Sequence, residues 1–256
     1  MVKECLNVIG FDFSKKNYIV TGGAGGMGRE VVRGIVAGGG NVALVDINEE
    51  AAREVCAEAP QQIRYYHMDI SDHEDIRKVT AQIIADMGQV HGLVNLAGIV
   101  DTTKFADMTD EIWDRVMNLN LTSQYVIIHS LFRHMAEHHY GRIVNVSSVA
   151  AKVGGGLFGT TAYAVSKAGV ICLTKGVAKE GAPYGISCNA VCPGYVNTPL
   201  VAGIPPEQQS KILDGNLLHR RAEPREVAIL MLFYLSDLAS FITGEIGDAD
   251  AGVTLD

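Results

Sequence analysis

What the chain lacks narrows its possible functions before any motif is read. No apolar run approaches the ~20 residues needed to cross a bilayer, and the N-terminal MVKECLNVIGFDFSKK has neither the continuous apolar stretch nor the small-residue cleavage site of a secretory signal. A cytoplasmic protein without a membrane partner is therefore expected. There is no long basic run, and 29 acidic residues outnumber 21 basic ones, which argues against nucleic acid or an anionic membrane as the main partner. A small molecule is the expected partner. The five cysteines (Cys5, Cys56, Cys172, Cys188 and Cys192) are odd in number and form no CxxC, so neither a disulfide framework nor a thiolate metal site is expected. They read as small core residues. Cys188 and Cys192 share a strand-like run in which four positions span roughly 13 Å, too far for a bridge. His134 and His138 stand at a zinc-compatible i, i+4 spacing, but without a third ligand nearby no metal is expected.

No repeat, low-complexity tract or linker divides the 256 residues, a length that one α/β domain can occupy. What is present is an alternation. Short β-branched runs (NYIVT, NVALVD, IRYYHMD, HGLVNLAG, GRIVNVSS, ISCNAVCPG and a weaker GEIGDADAG) are separated by segments of helical period. The longest of these, DEIWDRVMNLNLTSQYVIIHSLFRHMAEHH, reads as one helix. This order predicts βαβ units: a parallel sheet with helices on both faces and ligands bound at the carboxyl ends of its strands. Residues 195–224, with paired prolines and mixed polarity, read as a short helical lid over a substrate.

The first strand ends in TGGAGGMG, residues 21–28, and a helix begins at once. Glycines at such a turn let the backbone approach a pyrophosphate, while the helix N-terminus stabilises its charge. The stretch fits two spacings, GxGxxG through Gly23, Gly25 and Gly28, and TGxxxGxG through Thr21, Gly22, Gly26 and Gly28. The second strand ends at Asp46, near the spacing at which an acid accepts the adenosine ribose hydroxyls. A carboxylate there repels a 2′-phosphate, and no arginine or lysine follows directly to offset it. NAD rather than NADP is the expected cofactor. Asn48 is the better candidate for capping the next helix.

In TTAYAVSKAG, Tyr163 and Lys167 stand one helical turn apart on one face. With the glycine pattern, NLAG at 95–98, Asn120, NVSS at 145–148 and PG at 193–194 also in place, the chain resembles the short-chain dehydrogenase/reductase family over nearly its whole length. The resemblance implies a single Rossmann-type, doubly wound parallel sheet of about seven strands, a nicotinamide cofactor and reversible oxidation of a secondary alcohol to a ketone. It implies a catalytic tetrad of Asn120, Ser148, Tyr163 and Lys167, with Ser147 as the competing serine. Asn120 would position a water linking Lys167 to solvent. It also implies cofactor contacts from Thr21, Gly22, Gly26, Met27, Gly28, Asp46, Asp69, Ile70, Asn95, Ala97, Gly98, Pro193, Gly194, Val196 and Thr198, shared by Tyr163 and Lys167.

Chemistry explains the residue types. Hydride transfer to a ketone builds negative charge on its oxygen, so a proton donor must face that oxygen and serve as base in reverse. Tyr163 can do both, and an ammonium at Lys167 would favour its phenolate. Ser148 would donate to the substrate oxygen. The segment VAAKVGGGLFGTTA between Ser148 and Tyr163 is longer and richer in glycine than the family pattern, which suggests a reshaped substrate mouth. Gly155, Leu157, Phe158 and Tyr195 suggest a mixed apolar pocket. The helix from Ala162 to Ala178 is apolar almost all round, which with the family's habits points to a homotetramer. The alternatives are an NADP-dependent 3-oxoacyl-[acyl-carrier-protein] reductase and a nucleotide-binding protein without turnover.

Overall fold

The computed structural model describes residues 10–156, 159–198 and 206–255. Seven strands form one all-parallel sheet in the order β3-β2-β1-β4-β5-β6-β7. They are β1 (Asn17–Thr21), β2 (Asn41–Asp46), β3 (Ile63–His67), β4 (Gly92–Asn95), β5 (Gly141–Val146), β6 (Ile186–Pro193) and β7 (Ile246–Ala249). The central strands are apolar on both faces because helices cover both. Val20, Leu44, Val94, Val144 and Val191 face α1 (Gly26–Ala37) and α9 (Pro224–Leu235). Ile19, Val45, Leu93 and Ile143 face α3 (His73–Met87) and α5 (Ser123–Glu137). The order reverses between β1 and β4, and at this switch point the loops diverge to leave a crevice.

Helix α2 (Glu49–Glu58) begins as expected, with the Asn48 side chain accepting from Ala51 N–H. The segment read as one long helix is three elements. Helix α4 (Asp110–Met117) passes into a π-helical turn, Asn118–Thr122, before α5 resumes. Residues two apart on a helix face different ways, and here Asn118 lines the crevice while Asn120 bonds the loop after β4. A short α6 (Ala150–Val153) follows β5, and α7 runs from Thr161 to Gly181, longer than expected at both ends.

Helix α7 is mostly apolar on its buried side and along the first half of its exposed side, with lysines on the second half. Its exposed stripe is Val165, Ala168, Cys172, Lys175 and Lys179, whereas Ala164 and Val170 are buried. Cys172 therefore departs from the expected core position. Cys188 and Cys192 are buried free thiols, as expected, Cys56 is half-buried, and Cys5 lies outside the described residues. The lid expected over 195–224 contains α8 (Pro206–Asp214), with 199–205 outside the described residues. Its ends are zipped together: Asn197 N–H donates to Ala222 O at 2.9 Å and Ala222 N–H to Tyr195 O at 2.9 Å. No helix among the described residues is long and apolar enough to cross a membrane.

Candidate active site

The crevice at the carboxyl ends of the strands has a volume of about 900 Å³, enough for a dinucleotide-sized ligand. One end is built by the glycine loop. Gly22 has φ +67°, and a Cβ there would stand 3.1 Å from Ala97 N; Gly26 has φ +34°, and a Cβ there would stand 2.9 Å from Thr198 Cγ2. Gly28 does not line the crevice. It lets α1 close onto the strand end, since a Cβ would lie 2.1 Å from Gly22 O. Helix α1 has no acid in its first turn and no capping side chain at Gly25, so its amide donors and positive dipole end fit a diphosphate. Met27 lines the crevice beside them. Thr21 is a stitch: its hydroxyl accepts from Leu96 N–H at 3.0 Å and Ala97 N–H at 3.2 Å, tying β1 to the turn after β4.

Asp46 lines the same end. One carboxylate oxygen accepts from Ala24 N–H at 3.1 Å and the other from Asn48 N–H at 3.0 Å, which leaves lone pairs for a ligand hydroxyl. Arg115 and Lys167 are the only cations among the described lining residues. Arg29 and Arg33, on the helix after the glycine loop, are paired with Glu58. Asp69 accepts from Ser71 N–H at 2.8 Å, which holds its carboxyl below the usual range, and Ile70 lines the wall beside it.

At the other end Ser148 and Tyr163, both buried, line the crevice together. Burial pushes the Tyr163 hydroxyl up, and the neighbouring Ser148 hydroxyl opposes that shift. Lys167 is also buried; its Nζ donates to Val146 O at 2.9 Å and lies 5.9 Å from the Tyr163 ring centre. Burial pushes its pKa down to about 8. Desolvation is the largest influence on the pKa of both groups. Ser147 is committed elsewhere, donating to Lys167 O at 2.7 Å, so Ser148 is the serine free to face a substrate.

Asn120 acts from behind the crevice. Its Oδ1 accepts from Ile99 N–H at 2.8 Å, and its Nδ2 donates to Ile99 O at 2.9 Å and Ser166 Oγ at 3.2 Å. It thus clamps the loop after β4 to α7, where a water-holding role was expected. Gly98 makes room for this, as a Cβ there would stand 2.7 Å from Asn120 Oδ1 and 3.7 Å from Lys167 Nζ. Asn95 also lies behind the wall, donating to Asn145 Oδ1 at 3.1 Å. Ala97, Gly98, Pro193, Gly194, Val196 and Thr198 line the crevice. Leu157 and Phe158 lie outside the described residues.

Ser71, Arg115, Asn118 and Leu119 also line the crevice and were not anticipated. The signal was the i, i+3, i+4 spacing of the last three on one helical face. His134 is used structurally, its Nε2 accepting from Val90 N–H at 3.1 Å. The described residues include no trio of His, Cys, Asp or Glu placed to hold a metal.

A parallel doubly wound sheet with a diphosphate cradle at its switch point defines a Rossmann-type nucleotide-binding oxidoreductase when a Ser–Tyr pair and a buried lysine flank that cradle. The family described as Enoyl-(Acyl carrier protein) reductase matches residues 22–254. An acetoacetyl-CoA reductase from Shinella zoogloeoides is 37% identical over 236 residues, covering 91% of this chain and 96% of that protein. A cyclopentanol dehydrogenase from a Comamonas species is 35% identical, covering 93% and 97%. The crystal structure of gox2181 superposes with a TM-score of 0.91 at 31% identity, covering 94% and 96%. The chain belongs to the short-chain dehydrogenase/reductase family. It is an oxidoreductase of CH–OH and keto groups.

Proposed function

We propose that the protein is an NAD(H)-dependent oxidoreductase interconverting a secondary alcohol and a ketone, with Tyr163 as acid and base. The observation that carries this reading is that buried Ser148, Tyr163 and Lys167 line one end of a crevice whose other end carries Asp46. Asp46, Asp69 and Ile70 hold the adenosine half; Gly22, Gly26 and Met27 face the diphosphate; Val196 and Thr198 face the nicotinamide. When bound, the nicotinamide supplies or accepts the hydride.

In reduction, Ser148 donates a hydrogen bond to the substrate oxygen and Tyr163 transfers its proton there as negative charge develops. In oxidation the same oxygen must first give its proton to Tyr163. Lys167 supplies positive potential in a pocket where little solvent screens it. Asn120 ties the loop after β4 to α7 at Ser166, the residue before Lys167. Because burial raises the Tyr163 pKa, the neutral phenol needed for reduction dominates at neutral pH. Ketone reduction is therefore expected to be flat through neutrality and to fall above about pH 8, as Lys167 loses its proton and its positive potential. A profile of kcat for reduction tests this, and a rate unchanged from pH 7 to 10 contradicts it.

The cofactor preference rests on Asp46. NADH is expected to exceed NADPH in kcat/KM, and Asp46→Asn, which removes the charge at constant size, should shift that ratio toward NADPH by roughly 10–100-fold. A second reading, an NADP-dependent 3-oxoacyl-[acyl-carrier-protein] reductase, is favoured by the similarity to an acetoacetyl-CoA reductase. NADPH preference in the unaltered protein would select it. We also propose a homotetramer, supported by the exposed Val165, Ala168 and Cys172 on α7.

A further inference from the structure

The adenosine end of the crevice is spanned by a polar brace that the proposed chemistry does not use. His73, the first residue of α3, and Asn118, the first residue of the π-helical turn, lie 45 positions apart in sequence, yet His73 Nε2 and Asn118 Oδ1 are 2.6 Å apart. Asn118 Nδ2 donates to Ser71 O at 3.0 Å. Ser71 and Asn118 both line the crevice and meet at its rim, one from the loop that carries Asp69 and Ile70, the other from the end of α4; His73 does not line it.

The bonding pattern fixes the roles. Ser71 O can only accept, so the amide NH2 of Asn118 must face it and Oδ1 must face the ring. The ring nitrogen facing Oδ1 is therefore the donor, and the Nε2–H tautomer is selected. With its Oδ1 held by the His73 ring N–H and its Nδ2 held by the Ser71 carbonyl, Asn118 is locked in one orientation and ties the two segments together.

We infer that His73 is a positioning residue for the nucleotide: through Asn118 it presets the width of the adenosine end, so that binding does not have to order these loops. The inference rests on the reading of the crevice as a dinucleotide site. It does not concern hydride or proton transfer, which occurs at the far end beside Tyr163.

The test uses the full chain, with direct titration of NADH and of AMP. His73→Leu removes the donor and is expected to raise the dissociation constant of both ligands about tenfold, with kcat at saturating NADH within about twofold of the unaltered enzyme. His73→Gln, whose Nε2 can stand where the ring donor stood, is expected to restore most of the affinity. Asn118→Asp, which replaces the donor to Ser71 O with an acceptor, is expected to weaken both ligands as well. Unchanged affinity in His73→Leu overturns the inference, as does equal weakening by leucine and glutamine, or a loss confined to NADH with AMP unaffected. Failure of the unaltered protein to bind any nicotinamide dinucleotide overturns the cofactor reading and this inference with it.

Discussion

Replacing Tyr163 with phenylalanine is expected to lower kcat by ~10²–10⁴-fold, the usual worth of a positioned proton donor, with little change in affinity for NADH. The substitution removes one oxygen and leaves the ring. That ring is held by close packing on Gly159, where a Cβ would stand 2.3 Å from Tyr163 Cδ1 and where φ is +87°. Ser148 keeps its bond from Ala150 N–H at 3.1 Å, so its hydroxyl stays in place. The variant should fold, bind cofactor and fail to turn over. The measurement is initial rates over ketones, ketoses and 3-oxoacyl thioesters with NADH and NADPH, beside a direct titration of cofactor. Unimpaired turnover would mean that the proton comes from elsewhere and that Tyr163 is only a wall of the pocket. The same panel identifies the substrate class, which the residues around the mouth leave open.

Much of this site was legible in the sequence because its signals are local. A strand buried on both faces is written as an apolar run, and NVALVD became β2 ending at Asp46. Apart from Gly25, the glycines of TGGAGGMG stand where a Cβ would strike backbone or a neighbouring side chain, as at Gly22 and Gly28. The spacing of Tyr163 and Lys167 needs only a helix to place both on one face. The π-helical turn was not legible, because helical periodicity continues on either side and Asn118 and Asn120 read as ordinary polar residues. Their roles come from partners distant in sequence: Ser71 and His73 for one, Ile99 and Ser166 for the other. The exposure of Cys172 was hidden for a related reason, since an apolar helix face does not say which of its sides meets the sheet. Electrostatics were least legible. The sequence places an ammonium near a phenol, but only packing reveals that both are desolvated enough for burial to dominate each pKa.

That desolvation leads to the second large effect, a loss of activity accompanied by a gain in stability. The unfolded chain holds a proton on Lys167 with the ordinary pKa of 10.5, whereas the folded protein holds it with a value of about 8. Below pH 8 both states are charged, and folding carries the full cost of burying the ammonium, on the order of 3 kcal/mol. Between pH 8 and 10.5 the unfolded state binds more protons, so stability rises with pH; above that range both states are neutral and the cost is gone. Lys167→Met fills similar volume without the charge. It removes the bond to Val146 O, a loss of about 1 kcal/mol, and the net gain at pH 7 is about 2 kcal/mol, a few degrees in Tm. The advantage of the variant over the unaltered protein should be largest at and below pH 7 and should shrink steadily toward pH 10. Activity should move the opposite way at pH 7, falling by ~10²-fold or more, because the positive potential beside the reacting oxygen is gone. Thermal melts of both proteins across this pH range, without cofactor, test the linkage. A variant that is less stable at pH 7, with a difference that does not vary with pH, would show that the lysine is well solvated in the folded state. Under the proposed mechanism the stability cost of Lys167 and its rate enhancement arise from the same low dielectric around its ammonium.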